Sequence, residues 1–235
     1  YYYRDREKLV FASEIKSILA FPGVRAELDP AGFSSYLTYG FTPAPLTLFR
    51  GIQKVRPACY LTVEASGVEE TEYWRPRYGD KDRRPVSELK EELYDLLKSA
   101  IRYQMISDVP LGAFLSGGFD SSGIVHLMNE LGTGPVSTYT VGFGEGFAQH
   151  NEIGPAGRFA ADYGTRHHEI EVRPRVAELF PQLIASLDEP LADSSFVLTY
   201  LISKLARETV TVILSGVGGD EIFGGYRRYL NVSLG

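Results

Sequence analysis

The first third of the chain alternates short apolar runs with turn residues, a pattern typical of hairpins and short helices. Aromatic residues 1–3, a polar turn and the apolar residues 9–12 predict a β-hairpin. Immediately afterwards a short helix is predicted over residues 14–20, with Ser13 as its cap, because serine favours that position.

A second helix, a loop and a second hairpin are predicted next. Asp29-Pro30 indicates a helix over residues 30–39, since proline suits the first helical position. Residues 40–57 are rich in proline and glycine and predict a loop. Two β-prone runs, residues 59–63 and 69–74, flank Ser66-Gly67 and predict the hairpin.

The apolar pattern changes across residues 75–85, which combine charge, proline and glycine with little apolar content. Such a composition is typical of a linker, so we predict two domains, residues 1–74 and 86–235. The second domain alternates helical and extended patterns, which predicts a parallel sheet covered by helices on both faces. The predicted elements are a helix at 86–105, a strand at 109–115, a helix at 120–131, a strand at 136–143, a helix at 154–163, a strand at 167–172, helices at 175–187 and 195–208, and a strand at 210–214.

Composition narrows the class of protein. Of the 235 residues, 44% are hydrophobic and 23% charged, which is ordinary for a globular protein. The net charge of −6 predicts no nucleic-acid partner, and no apolar run is long enough to predict a membrane span. The single cysteine, Cys59, excludes an internal disulfide framework and favours a reducing, cytoplasmic location. Without an initiator methionine, the sequence is expected to be part of a longer chain.

The strongest candidate for a ligand-binding site is the first glycine loop, residues 116–122, Ser-Gly-Gly-Phe-Asp-Ser-Ser. This loop joins a predicted buried strand to a predicted helix, where free N–H groups and the helix dipole favour an anion. Gly117 and Gly118 allow close approach of backbone to a ligand. Asp120 suits a Mg²⁺ ion that accompanies a nucleotide.

The first glycine loop lacks the lysine of the P-loop motif. It resembles instead the PP-loop, S-G-G-x-D-S-S/T, of the N-type ATP pyrophosphatases. In those proteins the loop grips the β- and γ-phosphates, and the α-phosphate is transferred as AMP.

A second glycine loop, residues 215–220, Ser-Gly-Val-Gly-Gly-Asp, follows the last predicted strand. Its glycines would let a ligand sit against backbone, and Asp220 could hold a second metal contact or an ammonium group. Because ligands of such sheets bind at the carboxyl ends of the strands, we expect both loops to form one site.

The combination of segments resembles the family of glutamine-hydrolysing asparagine synthetases. The matching segments beyond the first glycine loop are residues 11–16, 36–40, 187–193, 205–207 and 214–226. The resemblance implies an α/β fold: a parallel-sheet PP-loop domain of the adenine nucleotide alpha hydrolase-like type, preceded by the C-terminal part of an Ntn-type glutaminase β-sandwich domain. It thereby assigns residues 1–74 to the glutaminase domain, 75–85 to the linker and 86–235 to an incomplete synthetase domain.

The resemblance also implies residue roles and substrates. The first glycine loop would hold the pyrophosphate of ATP and its Mg²⁺, and Leu115 and Val141 would flank adenine. Asp120 and Asp220 would be catalytic residues and ligands of the Mg²⁺. Asp220 could alternatively hold a substrate amino group. The implied substrates are ATP, aspartate or a similar carboxylate, and ammonia from glutamine, and a homodimer is left open. The full set of implied site residues is Leu115, Ser116, Gly117, Gly118, Asp120, Ser121, Ser122, Val141, Ser215, Gly216 and Asp220.

Two departures from the family pattern leave alternatives open. The family's second loop usually carries a glutamate where this chain has Val217, and an acidic pair near residues 148–152 is reduced to Glu152. Three functions therefore compete: an amide-forming ligase of the asparagine synthetase type, an enzyme that adenylates another carboxylate as β-lactam synthetase-like proteins do, and a nucleotide-binding protein without catalysis. The sequence starts beyond the family's N-terminal cysteine, so no glutaminase nucleophile is expected within it.

Other polar residues are predicted to be structural. His126 lies in a helical pattern, and the adjacent His167 and His168 point to opposite faces of a strand, which disfavours a shared metal. Cys59 has no nearby histidine to activate it. Two roles are open for Asp188, Glu189 and Asp193: shaping the edge of the active site, or forming an N-cap and a turn at Pro190. The structural role is favoured.

Overall fold

The computed structural model describes residues 1–64, 67–77, 79, 81–132, 134–143, 152–172, 176–193, 195–227 and 229. These residues form two compact units. The first contains residues 1–81 with the described part of 175–194, and the second contains residues 82–174 with 195–235 as far as described.

The first unit is assembled from short elements. They are the strands β1 (Tyr2–Arg4) and β2 (Leu9–Phe11), the helices α1 (Ile15–Leu19) and α2 (Pro30–Tyr39), and the strands β3 (Ile52–Gln53), β4 (Cys59–Glu64) and β5 (Gly67–Glu72). Both predicted hairpins are confirmed, as β1 pairs with β2 and β4 with β5, each antiparallel. The prediction of a continuous loop at 40–57 was wrong, because β3 lies within it and pairs with β1.

The helices α1 and α2 are capped differently, α2 by a neighbouring residue and α1 by a distant one. α2 begins at Pro30 as predicted, and Asp29 caps it, with its carboxylate accepting a bond of 2.9 Å from the amide of Gly32. Ser13 does not cap α1, because Glu14 occupies the cap position and offers no side-chain bond. The carboxylate of Asp188 instead accepts from the amide of Ile15 at 2.7 Å, so a distant segment supplies the cap.

The second unit alternates helices and strands as predicted. Its elements begin with α3 (Val86–Gln104), β6 (Leu111–Phe114), α4 (Phe119–Leu131), β7 (Ser137–Phe143), α5 (Ile153–Asp162) and β8 (Arg166–Val172). The helix α6 (Val176–Ser186) belongs to the first unit, and the second unit resumes with α7 (Ser195–Ala206), β9 (Val212–Leu214) and α8 (Gly219–Phe223).

A four-stranded parallel sheet of order β8-β7-β6-β9 forms the centre of the second unit. One core cluster joins residues of β6 and β9 to α3, α4 and α5, with Ala113 and Val125 fully buried. A separate cluster joins Tyr139 of β7 to Ile202 and Ala206 of α7. Helices therefore pack against both faces of the sheet, which confirms the predicted α/β class. None of the described helices is long and apolar enough to cross a membrane.

Candidate nucleotide site

The order of the strands places both glycine loops at one edge of the sheet. From β6 the chain proceeds to β7 and β8 on one side, and it then returns to add β9 on the other side of β6. The strand order therefore reverses between β6 and β9. In open parallel sheets this switch point, at the carboxyl ends of the strands, is where ligands bind.

The first glycine loop is closed by its own hydrogen bonds. The hydroxyl of Ser121 accepts a bond of 3.2 Å from the amide of Ser116, and the two serine hydroxyls lie 2.9 Å apart. The amide of Gly118 donates to the Ser116 hydroxyl at 3.2 Å. Gly117 has φ +77°, a conformation that glycine adopts without strain. The loop backbone is thus shaped before any ligand arrives.

The first glycine loop is also anchored to the sheet through Leu115. The Leu115 amide donates to the Tyr139 carbonyl at 2.9 Å, and its carbonyl accepts a hydrogen bond from the hydroxyl of Thr140. The Leu115 side chain is only 2% exposed and belongs to the core. Movement of this loop would therefore disturb the centre of the sheet.

The second glycine loop makes a tight turn after β9. Gly218 has φ +101°, and the amide of Gly219 donates to the Gly216 carbonyl at 3.2 Å. The amide of Val217 donates to the Ser215 hydroxyl at 3.3 Å. This turn directs the Val217 side chain outward, where 90% of it is exposed.

The two loops interlock through glycine backbone. A β-carbon added to Gly216 would lie 2.8 Å from the amide nitrogen of Ser121, and one added to Gly219 would lie 2.4 Å from Cγ of Asp120. A β-carbon on Gly225 would lie 1.9 Å from a carboxylate oxygen of Asp220. Each aspartate thus lies against glycine backbone, which brings both carboxylates to the seam between the loops.

An open cavity of about 690 Å³ lies at this seam. Among the residues that the sequence assigned to the site, those lining it are Ser116, Gly118, Asp120, Ser121, Ser215, Gly216 and Asp220. The other four, Leu115, Gly117, Ser122 and Val141, do not line it, and Val141 packs against the Tyr139 cluster.

Aromatic residues that the sequence motifs did not indicate complete the lining. Phe114, Phe119, Phe223 and Tyr226 all border the cavity. Phe119 is 99% exposed, which is unusual for so large an apolar side chain and typical of a binding surface. Its position as the variable residue of the S-G-G-x-D-S motif could have indicated it, because its neighbours Gly118 and Asp120 line the same cavity.

The charge lining the cavity is acidic. Asp120, Asp220 and Glu221 line it, and the described lining residues include no lysine, arginine or histidine. Glu221 also accepts a hydrogen bond of 2.8 Å from the hydroxyl of Tyr226. A polyanion such as a nucleotide would therefore need an accompanying cation to bind here.

The donor set fits Mg²⁺ brought by a nucleotide. Carboxylate and hydroxyl oxygens are the protein ligands that Mg²⁺ uses, commonly one or two carboxylates together with phosphates and water. Within the described part of the chain, no cluster of three or more histidine, cysteine, aspartate or glutamate side chains could hold a metal by itself. Asp120 and Asp220 therefore fit as partial ligands of a metal whose other ligands come with the phosphates.

The acidic residues of the 187–193 segment have structural partners inside the first unit. Asp188 caps α1, and the carboxylate of Glu189 accepts from the amide of Leu48 at 2.6 Å and lies 2.6 Å from the ammonium of Lys54. These contacts confirm the structural role favoured from sequence for Asp188 and Glu189.

The remaining polar residues considered from the sequence are the histidines of β8, the segment 149–152 and Cys59. His167 and His168 lie on β8, where His168 stacks on Tyr139 and the imidazole of His167 bonds to the hydroxyl of Thr138 at 2.9 Å. Residues 149–151 lie outside the described residues, and partial burial raises the pKa of the neighbouring Glu152 carboxyl. Cys59 is a free thiol in β4.

Comparisons with known proteins agree with this geometry. Residues 92–234 match the family model described as asparagine synthase, and residues 1–74 match the model described as glutamine amidotransferase domain.

Two relatives from Bacillus subtilis (strain 168) illustrate the similarity. The chain is 34% identical over 236 residues to asparagine synthetase (glutamine-hydrolyzing) 1, covering 97% of this chain and 36% of the relative. It is 32% identical over 242 residues to asparagine synthetase (glutamine-hydrolyzing) 3, covering 96% of this chain and 39% of the relative. The chain thus spans less than half the length of these curated relatives. Among solved structures, an NH3-dependent NAD synthetase from Campylobacter jejuni has a TM-score of 0.38 at 15% identity, covering 61% of each chain.

Proposed function

The chain belongs to the asparagine synthase family, and we propose that the protein acts as an ATP-dependent, amide-forming carbon–nitrogen ligase. In this reaction a substrate carboxylate attacks the α-phosphate of ATP, forming an acyl adenylate and releasing pyrophosphate. Ammonia then attacks the acyl carbon and displaces AMP, which leaves an amide. The observation that carries the proposal is the pair of interlocked glycine loops, each with an aspartate, at the switch point of the sheet.

We assign the binding of the phosphates to the first glycine loop. Ser116 and Ser122 would offer hydroxyls and Gly117 its backbone N–H to the β- and γ-phosphates, with Gly118 beside them in the cavity lining, as the start of α4 favours negative charge. Ser121 belongs to the same set, although its hydroxyl already closes the loop. Leu115 and Val141 are assigned to the adenine end, near the carboxyl ends of β6 and β7.

Asp120 and Asp220 are assigned to the Mg²⁺ that accompanies ATP. When bound, the metal would neutralise charge on the phosphates as pyrophosphate leaves. The chain's own contribution is geometric: the backbone of Gly219 holds the Asp120 carboxylate, that of Gly225 holds Asp220, and Ser215 and Gly216 would contact the nucleotide. Fixed positions of this kind lower the entropic cost of reaching the transition state.

Aspartate is the substrate that the family membership favours, and Val217 favours a second candidate. Its exposed apolar side chain stands in the cavity at the place where the family pattern has a glutamate. An enzyme that adenylates a different carboxylate, as β-lactam synthetase-like proteins do, would explain that difference. A nucleotide-binding protein without catalysis is the third candidate, and the complete set of loop serines and aspartates argues against it.

The same family match supports a proposed domain organisation and source of ammonia. We infer that residues 1–74 are part of a glutamine amidotransferase domain, that 75–85 are a linker and that 86–235 belong to the synthetase domain. Glutamine would then be the ammonia donor of the whole protein. A cytoplasmic location, a homodimer and the lack of a nucleic-acid partner stay predictions from the sequence.

The test is MgATP binding by titration calorimetry, followed by exchange of labelled pyrophosphate into ATP with a panel of carboxylates that includes aspartate. Asp120→Asn keeps the size of the side chain but removes the charge, so MgATP affinity is expected to fall about tenfold or more, while Asp95→Asn, an exposed change on α3, leaves it unchanged. Exchange that depends on a carboxylate would support adenylation. A wild-type protein that does not bind MgATP would contradict the proposal.

A further inference from the structure

The first glycine loop rests on the first turn of α5. A β-carbon added to Gly117 would lie 2.7 Å from Cβ of Pro155 and 2.9 Å from the amide nitrogen of Ala156. These separations are too short for real side-chain atoms, so the loop backbone and the helix approach each other with no side chain between them. The left-handed conformation of Gly117 is what brings its backbone toward the helix.

The helix side of this contact is held in place by the core. Ala156 is fully buried and belongs to the same core cluster as Ala113 and Leu115, which lie beneath the first glycine loop. The amide of Ala156 donates to the carbonyl of Glu152 at 3.0 Å, so the contact point is also part of the regular helix. Because the cluster is densely packed, the first turn of α5 cannot move independently of the loop.

We propose that Pro155 and Ala156 are positioning residues, which set the backbone of Gly117 and thereby the N–H groups that bind pyrophosphate. This inference rests on the proposed function, because it assigns the phosphates of ATP to the first glycine loop. Pro155 and Ala156 lie 33 and 34 residues beyond the end of that loop and touch it through packing. Small displacements of a binding group weaken binding steeply, since the group must be in place before the ligand arrives.

A matched pair of substitutions on α5 separates positioning from general stability. Ala156→Val and Ala160→Val each add two methyl groups at fully or almost fully buried positions one helical turn apart, in the same core cluster. Overpacking is expected to lower the melting temperature of both variants by similar amounts. The probe is inorganic pyrophosphate with Mg²⁺, titrated by calorimetry below the melting temperature of either variant.

Ala156→Val is expected to raise the dissociation constant of pyrophosphate about tenfold, whereas Ala160→Val changes it less than about twofold. Equal losses of affinity in the two variants would overturn this inference and leave the proposed function standing. A wild-type protein that binds neither MgATP nor pyrophosphate would overturn the proposed function and this inference with it. If Ala156→Val does not fold, Ala156→Ser against Ala160→Ser makes the same comparison with a smaller change, and the same outcomes decide it.

Discussion

The Cα atom of Gly216 packs directly against the backbone of Ser121, so closely that a β-carbon on Gly216 would lie 2.8 Å from the Ser121 amide nitrogen. Gly216 follows β9 and Ser121 lies in the first turn of α4, so this contact fixes the spacing of the two glycine loops. Residues of both loops line the cavity, Asp120 and Asp220 among them, so a change in this spacing would alter the cavity.

Gly216→Ala is therefore expected to push the loops apart. Overpacking against backbone should lower the free energy of unfolding by about 1–3 kcal/mol and weaken MgATP binding as well. The matched control is Gly123→Ala in α4, where an added β-carbon has no atom within 4 Å. Alanine at a helical glycine should stabilise by about 0.5–1 kcal/mol and leave binding unchanged. Wild-type stability and affinity in Gly216→Ala would contradict the close contact.

Ser121→Ala tests the internal bonding of the first glycine loop. The Ser121 side chain accepts from the Ser116 amide and is 8% exposed, so its removal leaves a polar group without its acceptor. We expect a loss of about 1–3 kcal/mol in the free energy of unfolding, measured by chemical denaturation. A variant as stable as the wild type would show that water or another group replaces the hydroxyl.

Val217→Glu tests the choice of carboxylate substrate. Because 90% of the Val217 side chain is exposed, the change should leave the melting temperature unaltered. A carboxylate at this place could orient the ammonium group of aspartate, so aspartate-dependent exchange of labelled pyrophosphate into ATP should rise. Ile222→Glu, a charge change at another exposed position in α8, is the control and should not raise it. Brisk exchange with aspartate in the wild type would show that Val217 does not limit the reaction.

Lys54→Met tests the ion pair inside the first unit. The Glu189 side chain is 9% exposed and its carboxylate lies 2.6 Å from the Lys54 ammonium. Removal of the lysine therefore leaves a buried carboxylate without its ion-pair partner. The expected cost is about 3–5 kcal/mol in the free energy of unfolding. Lys16→Met removes a more exposed lysine, 3.7 Å from Asp188, and should cost no more than about 1 kcal/mol. Equal costs would mean that the shorter, less exposed pair of Lys54 and Glu189 stabilises the protein no more than the longer pair of Lys16 and Asp188.

His167 predicts a pH dependence of stability. Burial lowers the pKa of its imidazole below the ordinary value of 6.5, although the nearby Glu169 carboxylate acts in the opposite direction and His168 adds to the lowering. The unfolded chain therefore takes up the proton more readily, so the contribution of His167 is present above pH 6.5 and is lost as the pH falls through the lowered pKa. In the His167→Gln variant, the free energy of unfolding should therefore fall less steeply as the pH is lowered below 6.5. Identical slopes in the two proteins would contradict the burial effect.

The elements of the second unit could be predicted from sequence because their burial patterns are local. Each of its strands and helices except α8, which was not predicted, lies within a few residues of the range that periodicity indicates. In the first unit β3 escaped prediction, since its two residues become a strand only by pairing with β1, about fifty residues earlier. The cap of α1 escaped for the same reason, as Asp188 lies 173 residues from Ile15.

The motifs predicted that the two glycine loops meet, but they could not indicate the contacts that shape the cavity. The outward position of Phe119 depends on how α4 begins, and the contact between Gly117 and Ala156 depends on how α5 packs across the sheet. Leu115 is the reverse case, a residue that the motif places beside the site although its side chain points into the core. Packing directions of this kind depend on the whole sheet.

The pairing of β6 with β9 also bears on how the protein reaches its native state. Ala113 lies opposite Leu214 in the ladder, so about 100 residues of chain must be enclosed before the two strands meet. Closing so long a loop is slow and entropically costly, which favours β6, β7 and β8 as the earlier part of the sheet and β9 as the later one. The seam between the glycine loops would then be among the last features to form during folding. A ligand bound at that seam stabilises only molecules that have completed the sheet, so the MgATP proposed to bind there would also raise the free energy of unfolding.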